Sequence, residues 1–296
     1  MGHGSYTAAD WSKLKSSRDL GNSKSERDIF KKTKCDPRFD PKFIQVREAR
    51  DSDDHPESTP IIIGLDVTGS MGYLAKKVAT EALNETMMKL YSTNAVRDPA
   101  LMFAAYGDYE DKSPLQVTQF ESDIRIAEQL LDLWLENRGS GDVVPSMLWY
   151  FAAKHTALDN YDKRKKKGFL FTIGDCADCR GDSLSETYQK VFGETVEMSI
   201  AEVLAEAQQK FEIFHLFLDE YRRHNQTFTS RLPGHTMAIT PGEIDAIPEI
   251  LISTMQMVEG KSLEDAVAQW PELKRPIVRG ALKSLSIEDK TKGLIF

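Results

Sequence analysis

Four segments of this chain end an apolar run on an aspartate: IIIGLD at Asp66, FAAYGD at Asp108, FLFTIGD at Asp175 and IFHLFLD at Asp219. Carboxylates gathered on one rim repel each other at neutral pH unless they are spread apart, protonated or neutralised by a cation. Hard oxygen donors favour Mg²⁺, Mn²⁺ or Ca²⁺ over Zn²⁺. The first run continues as Asp66-Val67-Thr68-Gly69-Ser70-Met71-Gly72, so alternate residues offer one carboxylate and two hydroxyls. Hydroxyls add donors without adding charge, and Gly69 and Gly72 permit a tight backbone path into a following helix. A capped helix start uses the same residue types, so the pattern gains its meaning from where it sits.

Strand ends can share a rim only if the strands run mostly parallel, and the elements fit that demand. Ile61–Leu65 is a continuous aliphatic run, as expected of a parallel strand buried on both faces. Tyr73–Tyr91 has helical spacing through Leu74, Val78, Ala82, Leu83, Met87 and Leu90. Leu101–Tyr106 and Leu115–Phe120 predict strands whose short link permits an antiparallel pair. Ile124–Leu135 and Val143–His155 predict helices, Gly168–Ile173 a strand, Met198–Lys210 a helix and Ile213–Leu218 a strand. After Met237–Ile239, the sequence Thr240-Pro-Gly-Glu243 is a capping box that opens a helix through Ile247–Val258. Strands separated by helices of this length imply an α/β, Rossmann-like fold with a mostly parallel central sheet and helices on both faces. In such a sheet, ligands bind beyond the carboxyl ends of the strands. The expected organisation is an N-terminal arm over 1–58, a domain over 59–259 and a short helical extension over 260–296. Phe30, Phe39, Phe43 and Ile44 are expected to pin the arm to the core.

An aliphatic strand followed by Asp-x-Thr-x-Ser resembles the metal-ion-dependent adhesion site of von Willebrand factor A (VWA) domains. Gly139-Ser140-Gly141-Asp142 matches the Gly-rich segment that carries that motif's third position, and Asp175 matches its last. Ala104-Ala-Tyr-Gly-Asp108, then Phe120 to Asp123, then Gly-Ser-Gly-Asp-Val-Val-Pro145 is similar to the VWA domains of alpha-kinase-associated proteins. Gly107 replaces that group's usual Arg, an extra residue precedes Pro145, and Ser146 stands where Glu is usual. The resemblance covers roughly 59–258 and implies the VWA fold and a metal held by Asp66, Thr68, Ser70, Asp142 and Asp175, but no kinase activity. It further implies a protein-binding module, an adaptor or assembly subunit, whose partner offers an acidic side chain to the metal. Microbial VWA proteins of this size often work with a MoxR-type AAA+ ATPase. Asp142 stands where many VWA domains have Thr. Three carboxylates around a +2 cation leave the site near −1, which predicts firm metal occupancy and a reduced preference for acidic ligands.

Composition narrows the alternatives. A net charge of −8 over 296 residues argues against phosphate-backbone binding, so no nucleic-acid partner is expected. The one basic run, Lys163 to Lys167, reads as a solvated loop. No stretch reaches the ~18 apolar residues of a membrane-spanning helix, and the N-terminus lacks a secretory apolar segment. Three cysteines, with Cys176 and Cys179 as a lone Cys-x-x-Cys, suit a reducing cytoplasm and read as incidental. A Mg²⁺-dependent phosphatase of the haloacid-dehalogenase type also begins with a strand-terminal Asp. It needs a second Asp two positions on, where this chain has Thr68. With no P-loop, nucleophile elbow or His-Glu-x-x-His, the chain is expected not to be an enzyme. The remaining alternative is a structural subunit whose metal only braces the fold.

Overall fold

The structure, a computed structural model, describes residues 4–21, 23–69, 71–136, 143–175, 185–218 and 226–287. Among these, eight strands form two sheets. The central sheet contains β2 (Thr59–Asp66), β3 (Pro99–Tyr106), β4 (Leu115–Val117), β6 (Gly168–Gly174), β7 (Phe211–Phe217) and β8 (Thr236–Ala238). Its spatial order is β4-β3-β2-β6-β7-β8, and every pair is parallel except β3 with β4. Chain order therefore reverses direction between β2 and β6, which is the switch point where doubly wound sheets open a crevice. A second, parallel pair joins β1 (Arg47–Ala49) to β5 (Thr156–Leu158).

The alternation of side chains along β2 divides the core. Ile61, Ile63 and Leu65 face one layer and Ile62 the other. The first layer contains α3 (Gly72–Lys77), a π-helical turn over Val78–Ala82, α4 (Leu83–Thr93) and α5 (Arg125–Leu131). It also holds α11 (Ile247–Val258), α12 (Leu263–Ala268) and α13 (Arg275–Leu282). The opposite layer is built on α6 (Pro145–Lys154), α8 (Ser185–Phe192), α9 (Ile200–Lys210) and α10 (Gln226–Arg231), which contributes Phe228. All six apolar positions of the Tyr73–Tyr91 periodicity are buried. α5 is shorter than the Ile124–Leu135 pattern predicts, although Leu133 beyond its end stays buried. Likewise β4 stops at Val117. Thr118 then turns its hydroxyl onto Phe103 N–H at 2.9 Å, and Phe120 is buried from a loop.

The arm lies on the first layer. Helix α1 (Ala8–Arg18), capped by Thr7, buries Trp11 and Leu14, and α2 (Glu26–Ile29), opened by a Ser25–Asp28 capping box, packs against α3. Tyr6, Leu20, Ile29, Phe30 and Phe39 enter the same cluster as the β2 residues, and Ile44 enters the other. Phe43 corrects the expectation: it is 70% exposed, because the 3₁₀ turn over Pro41–Phe43 buries Pro41 and aims Phe43 outward. The arm also covers the free edge of β4, where Val117 N–H donates to Phe39 C=O at 2.9 Å and the Arg47 guanidinium donates to Val117 C=O at 3.1 Å. The Lys163–Lys167 run is not wholly a solvated loop. Lys163 and Arg164 end α7 (Asp159–Arg164), and Arg164 grips Asp51 with two bonds of 2.8 and 3.0 Å.

His215 lies within β7, fully buried, its Nδ1 2.8 Å from Thr172 Oγ1 and its ring stacked on Phe228, centroids 3.8 Å apart. Burial pushes its pKa down to about 3. The folded chain keeps this imidazole neutral, whereas the unfolded chain protonates it below about 6.5. Its contribution is therefore full above about pH 6.5 and is lost as pH falls toward 3, by up to ~1.4 kcal/mol per pH unit. Urea unfolding at pH 7, 5 and 4 should show that loss in the wild type and a flatter profile in His215→Gln. Parallel profiles would contradict the assignment.

Candidate metal centre

β2 and β6 pair in register from Ile61 with Phe169 to Leu65 with Ile173, so Asp66 and Asp175 leave the sheet side by side at the switch point. One residue beyond β2, Val67 N–H donates to Tyr106 C=O of β3 at 3.0 Å and holds the chain as it leaves the sheet. The loop then folds back on itself. Thr68 donates to Asp66 Oδ1 from both its N–H, at 2.9 Å, and its hydroxyl, at 2.6 Å. Met71 N–H bonds to Thr68 C=O at 2.8 Å, and α3 begins at Gly72.

Asp66 is wholly buried, and its other oxygen, Oδ2, has no hydrogen-bond partner among the described residues. Such an orphaned acceptor costs about 1–3 kcal/mol, more when ionised. Burial pushes the Asp66 carboxyl up to about 7, against the pull of the Thr68 hydrogen bonds and with added push from the charges of Asp175 and Asp111. The close fit around it comes from Gly174. A methyl there would lie 2.8 Å from Asp66 Cβ, 2.8 Å from Tyr106 Oη and 2.9 Å from Asp66 Oδ2. Tyr106 Oη donates to Ile173 C=O at 2.9 Å, which fixes the ring beside the carboxylate.

Asp108 and Asp111 occupy the neighbouring strand end. Asp108 is fully buried, its Oδ1 accepts Glu110 N–H at 2.9 Å, and its own N–H donates to Asp111 Oδ2 at 3.0 Å. Asp111 is 4% exposed, and burial, with the charges of Glu136 and Asp108, pushes its carboxyl up to about 6. Gly107 lets this carboxylate fold back, since a Cβ at 107 would collide with Asp111 Oδ2. Asp111 was not singled out from the sequence. The only local signal is the acidic Gly107-Asp-Tyr-Glu-Asp111 turn after a strand.

Asp66, Thr68 and the half-buried Asp175 are thus brought to one rim, with Asp108 and Asp111 beside them. Ser70, Asp142, Asp219, Cys176 and Cys179 lie outside the described residues. Among the described residues, no three His, Cys, Asp or Glu side chains form a group able to hold a metal, and of the expected ligands only Asp66, Thr68 and Asp175 lie among them. The chemistry of Asp66 fits a hard divalent cation, because a buried carboxylate oxygen without a donor is what such a cation neutralises.

No sequence family and no curated protein matches the chain. Solved structures that it is similar to include the pilus adhesin SpaC of Lactobacillus rhamnosus GG in an open conformation, at 10% identity and a TM-score of 0.45. That likeness covers 71% of this chain and 31% of the adhesin. Another is a von Willebrand factor type A protein from Catenulispora acidiphila, at 17% identity and a TM-score of 0.33, covering 70% of this chain and 44% of that one. The chain spans less than half the length of either.

Proposed function

We propose that the chain is a VWA-type protein-binding module whose rim at Asp66 holds one divalent cation, Mg²⁺ or else Mn²⁺ or Ca²⁺. The observation that carries this reading is the fully buried Asp66 Oδ2 at the sheet's switch point, which has no partner among the described residues. Asp66, Thr68 and Asp175 would hold the cation together with Ser70 and Asp142. A bound cation supplies a coordination position that a partner's carboxylate fills. The chain's own residues do the positioning: Thr68 fixes Asp66 Oδ1, Gly174 admits the carboxylate, and Tyr106 walls it. The module spans 59–259, with 1–58 as a supporting arm and 260–296 as a helical extension. It works in the cytoplasm as an adaptor or assembly subunit, and an AAA+ ATPase is one partner of the expected class. No helix of the described residues is long and apolar enough to cross a membrane.

A catalytic role has less support. Residue 68 is a threonine whose hydroxyl is committed to Asp66 Oδ1, so no general acid stands two positions after Asp66. Captured partners should be retained in Mg²⁺ and released by EDTA, and Asp66→Ala should capture none in either buffer. Retention that ignores EDTA and the substitution would remove the metal from the binding account. Turnover of a generic aryl phosphate that disappears in Asp66→Asn would replace the module with a hydrolase.

A further inference from the structure

Charge is divided unevenly along this chain. Residues 1–35 carry eight Lys and Arg against four Asp and Glu, a net +4 on a protein of net −8 overall. This cationic block is docked beside the acidic rim. α2 packs on α3, the helix that opens directly from the Asp66 loop. On its other side, the arm faces the segment after α5. There Trp134 N–H bonds to Gln116 Oε1 of β4 at 3.0 Å, and Glu136 Oε1 accepts Ser113 N–H at 2.8 Å. Leu115, two residues on, pairs with Tyr106 at the carboxyl end of β3, so this segment borders the rim. Between arm and segment lies a cavity of about 320 Å³ with Phe30 and Trp134 in its walls, and with Arg27, Lys31 and Lys32 around it.

Arg27 and Lys31 are exposed and make no ion pair among the described residues, whereas Lys32 is tied to Asp36 at 3.2 Å. The anionic groups of the cavity are Glu26 and Glu136, and Glu136 is committed to the Ser113 amide. We propose that this groove binds acidic side chains of a protein partner, flanking the carboxylate that the partner offers at the rim. The proposal rests on the reading of the rim as a partner-binding face, and it deepens that reading by naming the partner's chemistry. Charge complementarity supplies the reason. A rim built from Asp66, Asp175, Asp108 and Asp111 repels an acidic partner even after one cation has bound, because four carboxylates exceed a charge of +2. The arm places unpaired cations where they offset that repulsion, and Trp134 and Phe30 give the acidic segment's carbon chain a surface to pack on.

A fluorescein-labelled hexaglutamate peptide, followed by anisotropy with the full-length protein in Mg²⁺ buffer, tests this. The double variant Arg27→Glu/Lys31→Glu should bind the peptide about tenfold more weakly or worse. Lys165→Glu/Lys166→Glu, exposed before the first residue of β6 and so at the opposite pole, should bind as wild type. Melting curves matching wild type would show that both double variants fold. Absent binding by wild type, or equal loss in both variants, or loss in neither, overturns the groove. Separate metal titration keeps the two readings apart. Normal uptake with groove-insensitive peptide binding removes the groove alone, and absent uptake with groove-dependent binding removes the metal alone.

Discussion

Removal of residues 1–35 should leave a chain that no longer shows a cooperative thermal transition. Tyr6, Trp11, Leu14, Leu20, Ile29 and Phe30 are each at most 7% exposed and share one cluster with β2 and α4. Each contributes roughly 1.5–3 kcal/mol by burial. Six such side chains together match the entire net stability of an ordinary domain, about 5–15 kcal/mol. The truncation also exposes the apolar surface that the arm covers. Single substitutions make the prediction graded. Trp11→Ala should cost about 3–5 kcal/mol in urea unfolding, whereas Phe43→Ala, at a side chain left 70% exposed, should change stability by less than about 0.5 kcal/mol. A truncated chain that melts like the intact protein, with the arm rapidly cleaved by protease, would show that the arm does not belong to the core.

The second large effect is expected at Gly174. Its Cα lies against Asp66 and Tyr106, both buried and both fixed by hydrogen bonds, so an added methyl has nowhere to go. Overpacking of this kind costs about 1–3 kcal/mol. Here it must also displace the carboxylate, so Gly174→Ala should lose metal uptake in a protein that still folds. Gly280 in α13 is the contrast, because a Cβ there meets nothing within 4 Å. Gly280→Ala should keep metal uptake and gain up to about 1 kcal/mol from the better helix former. Wild-type metal affinity in Gly174→Ala would mean that Asp66 does not face the cation.

The parts of this structure that were legible in the sequence are those with local periodicity. Ile61–Leu65 as a run buried on both faces, the helical spacing from Leu74 to Leu90 and the Thr240–Glu243 capping box all follow from residue types at short separations. β1 and β5 were not legible. Each has only three residues, and their pairing joins positions more than a hundred residues apart, so neither segment carries a pattern of its own. Phe43 and Phe39 look alike in an irregular segment, where nothing in the spacing says which side faces inward. The same holds for Arg164, whose partner Asp51 is distant in sequence. At the site, Asp66 and Asp175 were legible because each ends a strand. Asp111 was not, because its burial depends on Gly107 turning the chain back. Met88 and Met257 obey the same helical geometry. Met88 follows the buried Met87 by one position and Met257 follows the buried Met255 by two, spacings that turn a helical side chain to another face, and Met88 is 41% exposed and Met257 only partly buried.

Whether the rim at Asp66 holds a divalent cation is decided by calorimetric titration of Mg²⁺ into metal-stripped wild type and Asp66→Ala. The expected result is uptake of one ion per chain by the wild type, and binding at least about a hundredfold weaker in the variant. Identical isotherms for the two proteins would contradict it.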